Sequence, residues 1–171
     1  YATIDAGDGD DFVVTTGYSN IQGGAGKDTI IVLDRSSDHR DQVGHAVVDG
    51  GEGDDDIQIG KDSVVRGGVG DDRITIANSG STVEFAAGDG SDEIFSDDNF
   101  TLKISGYSKE DVIMSQEGGV VKLAFANSDD SIELTLTAGK VANLEFADGS
   151  TMSVNGASEQ TNIKTKWTNP E

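Results

Sequence analysis

Five aspartates, Asp11, Asp28, Asp55, Asp72 and Asp92, share one position of a recurring nine-residue pattern. The copies are AGDGDDFVV from Ala6, GGAGKDTII from Gly23, GGEGDDDIQ from Gly50, GGVGDDRIT from Gly67 and AGDGSDEIF from Ala87. The second and fourth positions are always glycine, the sixth is always aspartate, and the eighth is aliphatic: Val13, Ile30, Ile57, Ile74 and Ile94. Glycine lets a turn take positive φ and aim its carbonyls inward. Carbonyls beside a carboxylate make an oxygen donor set, which suits a hard divalent cation. Calcium takes about 6–8 oxygen ligands at roughly 2.3–2.6 Å. A single turn offers about half such a shell, so an ion between two successive turns would complete it. Five stacked turns leave four gaps, hence up to four ions.

Elements of a definite kind must hold these turns in a stack. The copies start 17, 27, 17 and 20 residues apart. Two residues ahead of each stands a second apolar position: Ile4, Ile21, Val48, Val65 and Phe85. The spacing predicts a coil of two short strands and two turns, with one apolar ladder on each strand face. The shorter polar turns TTGYSN, GKDS and ANSGS close each coil on its other side. The longest interval predicts an outward insertion near residues 34–44. Residues 1–98 therefore read as a five-rung parallel β-roll. Its core is thin: a buried Val or Ile contributes about 1.5–3 kcal/mol, against about 1–2 kcal/mol of backbone entropy per ordered residue. Rungs about 4.8 Å apart also stack the five aspartates into an anionic column. A bridging cation would turn that repulsion into attachment and couple metal binding to folding.

Composition narrows the function. The 171 residues carry 32 Asp+Glu against 12 Lys+Arg, a net charge of −20. Phosphate polyanions and anionic membrane surfaces would be repelled. Cysteine is absent, which excludes disulfides, zinc ribbons and thiol nucleophiles. No apolar run approaches the roughly 18 residues of a membrane span. His39 and His45 lie in or beside the predicted insertion and outside any HExxH pattern, and no Gly-x-Ser-x-Gly elbow appears. GGAGKDT departs from a phosphate loop, with Ile21 where the first glycine belongs and Asp28 in place of Ser or Thr. No carboxylate pair is singled out, so the expectation is a protein without catalysis. Asp8, Asp10, Asp54, Asp71 and Asp89 are expected to be outward, solubilising charges.

From Phe100 the pattern changes to FTLKI, GVVKLAFA, SIELTLT, VANLEFA and TMSV, separated by turn signals. Ser108–Asp111 can cap a single helical turn, and Asp148-Gly149 reads as a tight turn. Residues 99–154 are expected to form a β-rich cap over the last rung, whose edge would otherwise invite pairing with other chains. Residues 155–171 read as a polar tail that includes Trp167 and Pro170.

The five windows resemble the G-G-x-G-x-D-x-U-x nonapeptides of the RTX (repeats-in-toxin, haemolysin-type) calcium-binding β-roll family. The resemblance covers about residues 4–96, with departures at Ala6 and Ala87. The stretch Leu102–Val154, closing on FADGS at Phe146–Ser150, is similar to the β-rich segment that often follows such repeats. The resemblance implies an all-β fold, a right-handed parallel β-roll (β-solenoid) followed by a β-rich C-terminal capping region. It implies calcium ligation by Asp11, Asp28, Asp55, Asp72 and Asp92 with loop carbonyls. The loops would be shaped by Gly7, Gly9, Gly24, Gly26, Gly51, Gly53, Gly68, Gly70, Gly88 and Gly90. The implied function is a calcium-binding structural module of a larger secreted or cell-surface bacterial protein of toxin, adhesin or surface-layer type. It would fold on meeting calcium outside the cell. Expected partners are calcium ions, with other copies or cell-surface glycans open, and neither nucleic acid nor membrane insertion. The tail lacks the aliphatic ending of an RTX secretion signal and the chain opens inside a repeat unit, so the sequence reads as an excerpt of a larger protein. The alternative is a polysaccharide-binding accessory module of an extracellular enzyme, such as an alginate-modifying enzyme. That reading predicts a basic or aromatic groove drawing on Lys27, Lys61, Arg66 and Arg73.

Overall fold

The computed structural model describes residues 2–34 and 45–157, and the backbone of residues 163–166. Short stretches of largely alternating apolar and polar residues form strands that each turn one apolar face to the core. They come in pairs, one pair to a rung. The first five rungs are β1 (Ala2–Asp8) with β2 (Phe12–Thr16), β3 (Ser19–Ala25) with β4 (Thr29–Leu33), β5 (Val47–Glu52) with β6 (Asp56–Ile59), β7 (Val64–Val69) with β8 (Arg73–Ile76), and β9 (Thr82–Ala86) with β10 (Ser91–Ser96). The odd strands pair in parallel in one sheet and the even strands in the other. The protein is thus a two-sheet parallel β-roll.

The register stacks like on like. Val13, Ile30, Ile57, Ile74 and Ile94 form one ladder, as the eighth-position pattern predicts. Ile4, Ile21, Val48 and Val65 form the facing ladder. The fifth member of that ladder is a correction: Val83, and not Phe85, lies against Val65, while Phe85 pairs onward with Ile104. The fifth turn is longer than the fourth, and aligning the windows by their glycines hid the shift. The glycine-rich windows also hold more strand than a six-residue turn allows, since Gly24 still pairs in register with Gly51 and Gly51 with Gly68.

The roll runs on into the cap without a change of core. Beyond β11 (Phe100–Ser105), a single 3-10 turn spans Lys109–Asp111, where the Ser108 amide donates to the Asp111 carboxylate at 2.8 Å. Then follow β12 (Val112–Glu117), β13 (Val120–Phe125), β14 (Ser131–Leu136), β15 (Val141–Phe146), β16 (Thr151–Asn155) and β17 (Ile163–Lys166). β11 pairs in parallel with β9, and β14 with β10, so together they make a sixth rung. β15 extends the first sheet in parallel. Antiparallel strands then close both sheets: β16 on β15, and β13, β12 and β17 beyond β14. Part of the expected polar tail thus supplies an edge strand. Stacked Phe85, Phe125 and Tyr107 rings join roll and cap, with centroids 5.7 Å and 4.1 Å apart. The insertion beyond Asp34, His39, Trp167 and Pro170 lie outside the described residues.

Candidate metal centre

The glycine-rich turns stack along one side of the roll. Glycines at the second and fourth positions all have positive φ, from 93° at Gly88 to 147° at Gly70. Where a Cβ would fall also shows where the carbonyls point. At Gly24, Gly51 and Gly68 it would strike the carbonyl oxygens of Gly7, Gly24 and Gly51. At Gly26, Gly53 and Gly70 it would strike those of Gly9, Gly26 and Gly53. Each of the first three turns therefore sends two carbonyls into the gap toward the next turn, and the fourth sends one, that of Gly70. At Gly23 and Gly50 a Cβ would meet two further oxygens together: Oδ2 of the same turn's aspartate, and the first-position carbonyl of the next turn. Glycine at the first position leaves room for that convergence.

The sixth-position aspartates form a column tied from rung to rung. The amide of Asp11 donates to Asp28 Oδ1 at 2.9 Å, and that of Asp28 to Asp55 Oδ1 at 2.8 Å. Asp55 donates to Asp72 Oδ1 at 2.8 Å, and Asp72 to Asp92 Oδ1 at 3.2 Å. These bonds use Oδ1 of Asp28, Asp55, Asp72 and Asp92. Oδ2 of Asp11, Asp28, Asp55 and Asp72 is buried and has no hydrogen-bond partner among the described residues. Such an atom bears the full cost of desolvation. Four orphans in register are a repeated feature that asks for a cation.

Burial pushes the Asp55 carboxyl up to about 6, with the charge of Asp28 adding to it against the Asp28 amide bond. Burial likewise carries Asp72 to about 7, with Asp55 as its charged neighbour, and Asp92 to about 8, with Asp72. Asp130 shows the opposite condition at the capped end of the column. Burial acts upward there too, but the Gly88 amide, the Tyr107 and Ser128 hydroxyls and the Gly90 amide hold its carboxyl below the usual range. Its bond from Gly88 is 2.7 Å long. Where this fold completes a carboxylate with protein donors it can do so; along the column it does not.

No three or more Asp, Glu or His side chains converge among the described residues. The carboxylates enter one per rung, so any cation shell here must take most of its oxygens from the backbone, as calcium shells can.

Sequence reading missed a second ladder beside the first. Asp10 Oδ1 accepts the Lys27 amide at 2.9 Å, Asp54 Oδ1 the Asp71 amide at 3.0 Å, and Asp71 Oδ1 the Ser91 amide at 2.9 Å. These fifth-position aspartates are exposed, as expected, yet they tie the first turn to the second, the third to the fourth and the fourth to the fifth, in the direction opposite to the buried column. Their signal was the doubled Asp-Asp at Asp10, Asp54 and Asp71. Asp89 is a plain correction, since it is only 2% exposed. It pairs with Arg66 at 3.2 Å, and its Oδ2 accepts the Ala86 amide at 2.8 Å. The longer fifth turn brings it there, so the fourth gap is built differently from the three before it.

The four cations named for a glycan groove lie on different elements. Arg66 and Arg73 sit on different sheets, on β7 and β8, with Arg73 stacked 4.6 Å over the Phe95 ring. Lys27 belongs to an aspartate turn, and Lys61 lies on the opposite side 3.7 Å from Asp62. Set against known proteins, the chain matches no family model and no curated protein.

Proposed function

We propose that this chain is a calcium-binding module of the RTX type with a structural rather than catalytic role. Ions in the gaps between the turns of Asp11, Asp28, Asp55, Asp72 and Asp92 would be ligated by the aspartate Oδ2 atoms and glycine carbonyls. The observation that carries this reading is the run of buried, unpartnered Oδ2 atoms, of which those of Asp28 and Asp55 lie beside the first-position carbonyl of the next turn. A calcium ion there supplies the positive charge that the column lacks. The module would belong to a secreted or cell-surface protein, because millimolar calcium outside the cell would hold the roll closed and scarce calcium inside would leave it open for export. Neither nucleic acid nor membrane insertion fits a surface this acidic.

Calorimetric titration of the chelator-stripped chain, followed in parallel by circular dichroism, tests the reading. The expected outcome is binding of several calcium ions together with a gain of β signal. Unchanged β content and no heat of binding would defeat it.

A further inference from the structure

A single row of side chains crosses the outer face of the odd-strand sheet from β5 to β16. Register places Asp49 beside Arg66, Arg66 beside Glu84, Glu84 beside Lys103, Lys103 beside Glu145, and Glu145 beside Thr151. Charge therefore alternates from strand to strand along Asp49, Arg66, Glu84, Lys103 and Glu145. The last four of these are exposed. Opposite charges at paired positions attract, yet among the described residues Glu84, Lys103 and Glu145 enter no ion pair, and Arg66 turns to Asp89 instead. The other sheet handles its charges differently. There Lys122 closes on Glu133 at 3.0 Å, and Glu93 lies beside Glu133, which ends any alternation. A cleft of about 390 Å³ opens among Arg66, Glu84, Lys103 and Glu145, with Ala86 and Ser105 beside it. The flanking row, from Val47 through Val64, Thr82, Thr101 and Asn143 to Ser153, carries no charge.

We infer that this face is a self-complementary interface through which two copies of the chain associate. The sign pattern selects that occupant. A uniformly anionic or cationic partner would meet repulsion at every second strand. A second copy, turned about a two-fold axis that runs parallel to the strands over the boundary of β9 and β11, does not. The rotation keeps each residue at its own level along the strands and reverses the strand order. Glu84 then faces Lys103 of the second copy and Arg66 faces Glu145 of the second copy, and each contact occurs twice. Asp49 faces Thr151 of the second copy, at a position where the Lys109 ammonium donates to the Thr151 carbonyl at 3.0 Å. In the uncharged row Thr82 faces Thr101, Val64 faces Asn143 and Val47 faces Ser153. Six strands overlap, each about 17 Å long and about 4.8 Å from the next. That buries roughly 1,000 Å² over both partners, the low end for a specific contact. The dimer is therefore weak. The net charge of −20 opposes it at long range, but the overlapping row itself is nearly balanced, with two cations and three acids. The column aspartates take no part in this contact.

Sedimentation equilibrium of the full chain in excess calcium, over a range of chain and salt concentrations, tests the interface. The expected result is a monomer–dimer equilibrium that moves toward monomer as sodium chloride is added, because exposed charges are screened within about 8 Å at physiological ionic strength. Lys103→Glu and Glu84→Lys each set like charges opposite one another twice per dimer. Each should raise the dimer dissociation constant by about tenfold or more. Mixed in equal amounts, the two variants restore every opposite pair, so a one-to-one complex should form that neither makes alone. A chain carrying both substitutions should dimerise as the parent does, and so should Lys122→Glu on the other sheet. Circular dichroism confirms that each variant keeps the β signal of the parent. A parent that stays monomeric at every chain concentration and at low salt would overturn the inference, as would variants that fail to pair on mixing. Stronger association of Lys103→Glu would also overturn it, since calcium bridging between acidic surfaces would then hold the copies together. Loss of the dimer in Lys122→Glu would move the contact to the other sheet, with the same consequence.

Discussion

The two sides of the roll tie their rungs by the same device and differ in one side-chain oxygen and its charge. On the serine side the Ala46 amide donates to Ser63 Oγ at 3.3 Å, and the Ser63 amide to Ser81 Oγ at 3.2 Å. On the acidic side the Asp28 amide donates to Asp55 Oδ1 and the Asp55 amide to Asp72 Oδ1. In both, an amide reaches forward to a buried side chain of the next rung. A hydroxyl also carries its own proton, and the serines use it: Ser63 donates to the Lys61 carbonyl at 3.2 Å and Ser81 to that of Gly60 at 2.8 Å. An ionised carboxylate is an acceptor only. If tying rungs were all that was needed, serine would do it without the charge. The surplus oxygen and its charge on the acidic side fit the ligand role proposed above, and the serine column shows the same fold tied from rung to rung without them.

The sharpest way to break this contrast is to remove one member from each column. Asp55→Asn keeps an oxygen for the Asp28 amide but deletes the charge. We expect calcium affinity to fall by about tenfold or more as ligand charge is lost, with the calcium-free chain unharmed. Ser63→Ala leaves the Ala46 amide buried without an acceptor and should cost about 1–3 kcal/mol, with or without calcium. Urea unfolding of both variants across calcium concentrations checks this. Equal calcium dependence in the two would mean that the sides are not chemically distinct.

Acidity should act on one side alone, with a smaller effect. An unperturbed aspartate titrates near 3.8, whereas Asp55, Asp72 and Asp92 are raised to about 6, 7 and 8. The metal-free fold therefore holds more protons than the unfolded chain between those limits. Its stability is fully present at low pH and falls as pH climbs through about 6 to 8. Calcium competes with the same protons, so its affinity should rise over that window, while serine hydroxyls do not titrate there. Unfolding and calcium titrations at the two ends of the range check both signs. A metal-free form that gains stability with rising pH would contradict them.

Much of this was legible in the sequence because stacking repeats one environment. Val13, Ile30, Ile57, Ile74 and Ile94 occupy equivalent pairings, so identical demands wrote identical residues at fixed spacing. The column of aspartates was readable for the same reason. What stayed hidden depends on neighbours that no periodicity announces. Val83 replaced Phe85 in the ladder because two of the three excess residues fall inside the fifth turn, after the strand. Asp89 turned inward because that longer loop meets Arg66. The serine column was invisible because TTGYSN, GKDS and ANSGS share no length, and a lone serine in a polar turn carries no signal of burial.

The smallest expected effect concerns backbone conformation. The residues just before the serine column, Tyr18, His45, Asp62 and Gly80, have φ of 62°, 61°, 52° and 86°. On the acidic side every left-handed position is glycine, since a neighbour's carbonyl fills the space a Cβ would need at most of them. The serine side admits side chains but bears the cost of the left-handed region, roughly 1–2 kcal/mol for an L-residue. Asp62→Gly removes that cost and gives back part of it as extra freedom in the unfolded chain, about 0.5–1 kcal/mol. The exposed contact with Lys61 is worth at most about 1 kcal/mol, and the Asp62 amide keeps its bond to the Ser79 carbonyl at 3.2 Å. We therefore expect a gain of a few tenths to about 1 kcal/mol, the same with and without calcium, read from paired thermal melts. Independence from calcium is the informative part: a gain that grew with calcium would show that strain in one column is transmitted across the two sheets to the other, and the two sides would then have to be treated as one cooperative metal-binding unit.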